Sequence, residues 1–240
     1  MTQATRRDRG RADTDRDIRS QARALLVSDG PQAVTLRAIA RELGITAPAL
    51  YRYYASREDL IDHLRRDVCT DLAADLESAL TGVPQEDHLG RVLTLCRGFR
   101  AWALAHPQEF ALVFASPSGS PAEQHSVEKD SFGRVFLAVA GRVLATGLML
   151  GRPDESVPEP LRADMAGFRD DLLATINESG VDLPADLLGA GMAYALLQFW
   201  VRLYGQVALE VFGQVPFPLT NAEPLFESML ADLTREVGLH

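Results

Sequence analysis

Apolar residues recur three and four positions apart along most of this 240-residue chain, the spacing of one face of an α-helix. Nowhere does the alternation of a half-buried strand hold over a useful length. Ile18, Ala22, Leu25 and Leu26 form the first stripe; Thr14-x-x-Asp17 places its start at residue 14, and Asp29-Gly30-Pro31 ends it. Thr35 caps a second helix carrying Leu36, Ile39, Ala40 and Leu43, Gly44 stops it, and Thr46 opens a short third with Pro48 in its first turn. Ser56-x-x-Asp59 caps a longer fourth, to about Leu80. Further helices are expected near 86–105, 107–115, 123–150, 160–179, 184–213 and 222–237. Pro84, His106-Pro107, the Ser116-to-Pro121 loop, Gly151 to Pro160, Gly180 to Pro184 and Val215 to Pro218 break them. The fold class is all-α. Residues 1–13, an Arg/Asp-rich run without periodicity, read as a flexible arm.

Composition narrows this picture. With 47% apolar and 24% charged residues, the chain can bury a substantial core. The longest uncharged apolar run, Leu187 to Val201, is bounded by Asp186 and Arg202 and is too short to span a bilayer. The Arg-rich start is interrupted by Asp, unlike a secretory leader. Cys69 and Cys96 sit on helical segments and suggest no disulfide framework, which fits a reducing cytoplasm. The net charge of -9 argues against a nucleic-acid partner when taken whole. Residues 1–60, however, hold 11 Arg against 8 acidic residues, a balance of +3, and leave -12 for the rest. Two regions of opposite sign suggest two jobs.

Leu36 to Ala55 has the layout of a helix-turn-helix. Ala40 is small enough for two helices to cross closely, and Gly44 supplies the positive φ that the turn requires. Ile39, Leu43, Ile45 and Leu50 pin the pair to the first helix. Thr46, Ala47, Pro48, Ala49, Tyr51 and Arg52 are left on or near the outer face, free to enter a major groove. The run Thr35 to Leu60, with Leu50-Tyr51, Tyr53-Tyr54 and Ser56-Arg57-Glu58-Asp59-Leu60, closely resembles the DNA-binding domain of the tetracycline-repressor (TetR) family over about residues 14–74. Tyr54 stands where many members carry Phe, and Arg57 where many carry Lys. Thr35 and Thr46 are candidate phosphate contacts at helix N-termini. Arg37, Tyr51, Tyr54 and Arg57 are candidates to bind the backbone, and Arg52 a guanine edge or a phosphate. Arg6, Arg7, Arg9 and Arg11 of the arm could follow an adjacent minor groove or simply be solvated.

The acidic remainder carries a second resemblance. His106 to Phe114, followed by Ser116-Pro117, is similar to the middle of many actinobacterial regulators of this family. Leu196-x-x-x-Trp200-x-x-x-Tyr204-Gly205 is similar to a subtype marked by Trp-x-x-x-His-Gly, with Tyr204 in place of the His. The resemblance implies a DNA-binding domain over 14–60 and a ligand-sensing and dimerising helical domain over 61–240. It also implies a homodimer through helices near 184–213 and 222–237, and a palindromic double-stranded DNA operator. A small apolar or aromatic ligand would lie among Phe99, Trp102, Phe110, Phe114, Phe136, Phe168 and Trp200, with Gln198, His106 or Tyr204 as polar anchors. The expected function is a repressor released by that ligand. The alternative is a DNA-binding regulator gated by a protein partner. No cofactor, metal or membrane partner is expected. The five His residues lack metal-ligand spacing, and there is no nucleophile elbow or phosphate-binding Gly loop, so catalysis is not expected.

Overall fold

The computed structural model describes residues 6–115, 129–147, 152–216 and 218–239. Its chain divides into two compact units. One holds the residues up to Asp71 together with 106–115, and the other holds 72–105 and those from Lys129 onward. The boundary therefore falls later than residue 60, and the segment after His106 joins the first unit.

In the first unit, α1 spans Arg6–Asp29, α2 Leu36–Glu42, α3 Ala47–Leu50 and α4 Arg57–Leu80, the last continuing into the second unit. α6 (Pro107–Phe110) runs into a π-helical turn, Ala111–Ala115. The first helix already includes Arg6 and does not start at residue 14, where Thr14 does not cap. Its hydroxyl donates to the Gly10 carbonyl one turn back, at 2.9 Å, and the helix passes through. The Arg11 guanidinium then lies over the Tyr53 ring, 5.7 Å from its centroid. The side chains of Arg6 and Arg7 lie outside the described residues.

The short helices are held by their ends. The Thr35 side chain accepts the Ala38 N–H at 3.1 Å. At the other end of α2, Ile45 N–H reaches the Ala40 carbonyl at 3.0 Å and Gly44 N–H that of Arg41 at 3.2 Å, with Gly44 at φ +65. This is a Schellman stop that only a residue tolerant of positive φ makes cheaply. α4 opens with a reciprocal cap: Ser56 Oγ accepts Asp59 N–H at 3.1 Å, and Asp59 accepts Ala55 N–H at 2.9 Å. Ile18, Ala22, Leu26, Ile39, Leu50, Tyr54, Leu60 and Leu64 close the core, and Leu112 from the π-helical turn joins it.

The second unit contains the end of α4 with α5 (His88–Ala105), α7 (Lys129–Ala145), α8 (Arg162–Glu178), α9 (Ala190–Val211) and α10 (Glu223–Glu236). Of the helix expected over 123–150, residues 123–128 and 148–150 lie outside the described residues, as does the loop at 116–121. α9 starts at Ala190, later than expected, after a 3-10 turn at Ala185–Leu187. Its first turn is satisfied from a distance: Asp154 Oδ1 accepts Gly191 N–H at 2.8 Å. A Cβ at Gly191 would meet the carbonyl oxygens of Arg152 and Pro153, the latter at 2.6 Å, so the close approach requires glycine. Arg100 pairs with the nearly buried Glu210 at 2.7 Å and lies over the Phe226 ring at 4.9 Å, joining α5 to α9 and α10. Arg97 grips Glu227 through two hydrogen bonds, at 2.8 and 2.7 Å, and holds that carboxyl below its ordinary range.

Candidate nucleic-acid interface

α3 is a single regular turn, and what it presents follows from one anchor. Leu50 is fully buried in the core of the first unit. At 100° per residue, the direction opposite Leu50 falls between Pro48 and Arg52, with Tyr51 and Ala49 on either flank. Thr46, Pro48, Tyr51 and Arg52 are exposed, Tyr51 at 58%, while Ala47 and Ala49 are half-buried. The N–H groups of Tyr51 and Arg52 reach back to the carbonyls of Ala47 and Ala49, both at 3.3 Å, so the helical path continues one turn past Leu50. On α2, Arg37 is exposed, and Thr35 is half-buried with its oxygen engaged as the cap.

Two residues assigned to the DNA backbone from the sequence are used differently. Tyr54 is 1% exposed, and its hydroxyl donates to Asp15 Oδ1 at 2.6 Å. Burial, then the Asp15 hydrogen bond and charge, push its phenol well above the ordinary range, so the proton stays on oxygen. Tyr54 is thus a core residue tied to α1 and not a phosphate donor. Arg57 spends Nε on the Val34 carbonyl at 2.7 Å and a terminal nitrogen on that of Pro31 at 2.6 Å. Its main work is to hold the loop ahead of the Thr35 cap, with the other terminal nitrogen 3.8 Å from Glu58. Tyr54→Phe is expected to lower stability by about 1.5–3 kcal/mol, the worth of a hydrogen bond to a charged acceptor, while leaving the salt dependence of DNA binding unchanged. Urea unfolding and a salt titration check the two halves of that expectation.

Sequence reasoning missed a polar ladder. Asp15, Arg19 and Arg23 stand four apart on α1, opposite Asp67 and Asp71 on α4. Arg19 pairs with Asp15 at 3.1 Å and Asp67 at 2.6 Å, and Arg23 with Asp71 and Glu109. The four-residue spacing on both helices was the available signal.

The aromatic residues proposed from the sequence as a ligand site fall in two places. Phe110 and Phe114 pack on each other in the first unit, with centroids 4.9 Å apart. In the second unit Phe99, Phe136 and Trp200 gather with Phe132, which the sequence reading did not include, at centroid distances of 5.2–6.2 Å. Tyr204 stacks on Trp200 at 5.9 Å. Trp102 is buried, and Phe168 packs against the core of Leu172, Ile176 and Met192. Gln198 Oε1 accepts from Arg152 at 3.3 Å, and His106 is exposed just before α6. No group of His, Cys, Asp and Glu among the described residues is arranged to hold a metal ion, and no described helix is long and apolar enough to cross a membrane.

Residues 18–64 match the family model for bacterial regulatory proteins of the tetR family, and residues 92–233 match the tetracyclin repressor-like C-terminal domain. The chain belongs to the tetR family. As a tetR-family protein it is a helix-turn-helix DNA-binding transcriptional regulator, and α2 to α3 is its helix-turn-helix. It is 29% identical over 213 residues to the HTH-type transcriptional regulator Rv1816 of Mycobacterium tuberculosis, covering 87% of this chain and 85% of that protein. It is 24% identical over 192 residues to the HTH-type regulator Rv0681 of the same organism, covering 80% and 67%. Among solved structures it resembles that of SCO4313, with a TM-score of 0.64 and 29% identity over 95% of this chain and 98% of that one. A protein from Rhodococcus sp. RHA1 shares the fold, with a TM-score of 0.63 at 17% identity over 93% and 95%.

Proposed function

We propose that this tetR-family regulator is a homodimeric repressor that binds a palindromic operator through Arg37, Thr46 to Ala49, Tyr51 and Arg52, and that a small apolar or aromatic molecule releases it. The observation that carries the DNA reading is the face opposite Leu50, an exposed surface on a helix whose other side is locked into the core. Arg37, Tyr51 and the hydroxyls of Thr35 and Thr46 bind phosphates around it. A single short reading helix touches few base pairs, so two copies on successive half-sites supply the affinity. The acidic remainder repels DNA and confines contact to the first unit.

Ligand gating rests on the ring cluster of Phe99, Phe132, Phe136 and Trp200, with Tyr204, stacked on Trp200, as its polar neighbour. The Tyr204 phenol, raised by burial, stays protonated and can donate to a ligand oxygen in place of the His of the similar subtype. α4, one helix with residues in both units, would carry the change. To reverse operator occupancy from 99:1 to 1:99, a ligand must favour the non-binding state by about 5.5 kcal/mol. The second reading, gating by a protein partner, draws support from how closely these rings contact one another, since a ligand would have to part them.

The test uses the full-length protein. Selection from a randomised duplex pool is expected to enrich a palindrome, and a pool with no enriched sequence would defeat the DNA reading. Small aromatic compounds are then titrated against the enriched duplex while Trp fluorescence is followed. Release of DNA together with a changed Trp signal supports ligand gating, and neither effect across the panel favours the partner.

A further inference from the structure

The reading face of α3 lacks two kinds of side chain, and that limits which bases it can recognise. Adenine is recognised in the major groove by the paired donor and acceptor of Asn or Gln, and cytosine N4–H by a carboxylate. Guanine is taken by the fork of Arg or by Lys, and thymine by apolar contact with its C5-methyl group. From Gly44 to Arg52 the chain holds no amide and no carboxylate side chain. The nearest carboxylate before the turn, Glu42, is paired with Arg41 at 3.0 Å, and of the two nearest after it, Glu58 lies 3.8 Å from Arg57 and Asp59 is committed to the cap of α4. Centred opposite the buried Leu50 are a rigid apolar ring, Pro48, and one turn on, a guanidinium, Arg52. Ala49 flanks the proline on the helix, half-buried.

We infer that this face reads each half-site through a thymine methyl group packed on Pro48 and a neighbouring guanine held by Arg52, with no bidentate bond to adenine or cytosine. The inference rests on the reading of α3 as the base-contacting helix and adds which chemistry it recognises. The hydroxyls of Thr46 and Tyr51 each have one proton to donate, and the proposed reading gives both to phosphates. The apolar pair sets the character of the site. A thymine methyl buried on the Pro48 ring is worth about one methylene of transfer, so its removal is expected to cost about fourfold in affinity for one half-site. With both half-sites altered the loss is about 15-fold.

The experiment takes the duplex enriched by the full-length protein and replaces half-site thymines one position at a time. 2′-Deoxyuridine removes only the methyl group. A 5-methylcytosine·guanine pair keeps the methyl and changes the hydrogen-bonding edge. One thymine per half-site is expected to show the loss with deoxyuridine and to regain most of it with 5-methylcytosine. Pro48→Ser, read on the same duplexes, should bind the thymine and deoxyuridine forms alike. In parallel, 7-deazaguanine at the guanine position should weaken the unaltered protein and leave Arg52→Ala unaffected. Circular dichroism shows whether each variant is folded. If Pro48→Ser unfolds, the modified duplexes with the unaltered protein decide alone. An enriched half-site whose every thymine tolerates deoxyuridine within twofold overturns the inference while the DNA reading stands. So does a core without a T·A or a G·C pair. A pool yielding no enriched sequence defeats the DNA reading first and this inference with it.

Discussion

Arg23→Met is expected to cost the first unit about 3–5 kcal/mol, the largest stability loss foreseen for a single side chain outside the hydrophobic core. The reason lies in Glu109. It is 2% exposed, and among the described residues Arg23 is the cation that reaches it. A carboxylate taken out of water is tolerated only when a partner offsets its lost hydration, and Met leaves it with none. Arg23 also reaches Asp71, so a single guanidinium ties α1 to α4 and to the segment after His106. Asp71 is exposed and loses little. The double variant Arg23→Met/Glu109→Leu separates the two effects: removing both charges is expected to restore most of the loss, because an apolar pair of similar size has no desolvation penalty. Urea unfolding followed by far-UV circular dichroism measures the totals, and amide exchange in α1 localises them. A single variant within 1 kcal/mol of the parent, or a double variant no better than the single, would refute this account.

The helix-turn-helix was legible because its signals are local. Thr35 and Ser56 sit where they cap, Ala40 where helices cross, and Gly44 where φ must be positive, all within three or four residues of their partners. Legibility ended where a side chain's partner is distant in the chain. Thr14 carries the composition of a cap, yet a helix already running from Arg6 offers its hydroxyl the Gly10 carbonyl. Tyr54 and Arg57 occupy motif positions that imply DNA contact, but Asp15 and the carbonyls of Pro31 and Val34 engage them first, and only folding brings those groups near. The segment 107–115 was assigned with the sensing helices from its resemblance to the middle of similar regulators. Its Leu112 and Glu109 meet residues of α1 and α4 that no periodicity could pair with it. The ring cluster was read as a set of candidates without Phe132, because spacing places an aromatic on a helix face but does not say which face another helix covers.

The largest effect on DNA binding is expected from Val201→Asp/Leu209→Asp, which leaves the reading helix untouched. Val201, Gly205 and Leu209 share one face of α9, which Phe212 at its C-cap continues, and the three side chains are 57%, 43% and 38% exposed. A Cβ at Gly205 would meet nothing within 4 Å, so packing inside the protomer does not call for a glycine there. A second copy crossing at that point, as in the proposed dimer, would call for one, because glycine lets two helix backbones approach closely. Leu225 is a further exposed apolar side chain, 48% exposed on α10. In a two-fold interface each substitution occurs twice, so the double variant sets four carboxylates against one another in a desolvated patch. The variant is expected to sediment as a folded monomer, since both residues are exposed in the protomer. Its affinity for the full operator should fall by about 10² to 10⁴, the gain that linked half-sites supply, while affinity for an isolated half-site stays within about twofold. Added negative charge could itself repel DNA, so Val201→Lys/Leu209→Lys serves as the control. It carries the opposite sign and should lose the dimer and the full-site affinity in the same way. A variant that stays dimeric with either charge places the interface elsewhere. A monomer that still holds the full operator as tightly as the parent removes the need for two copies.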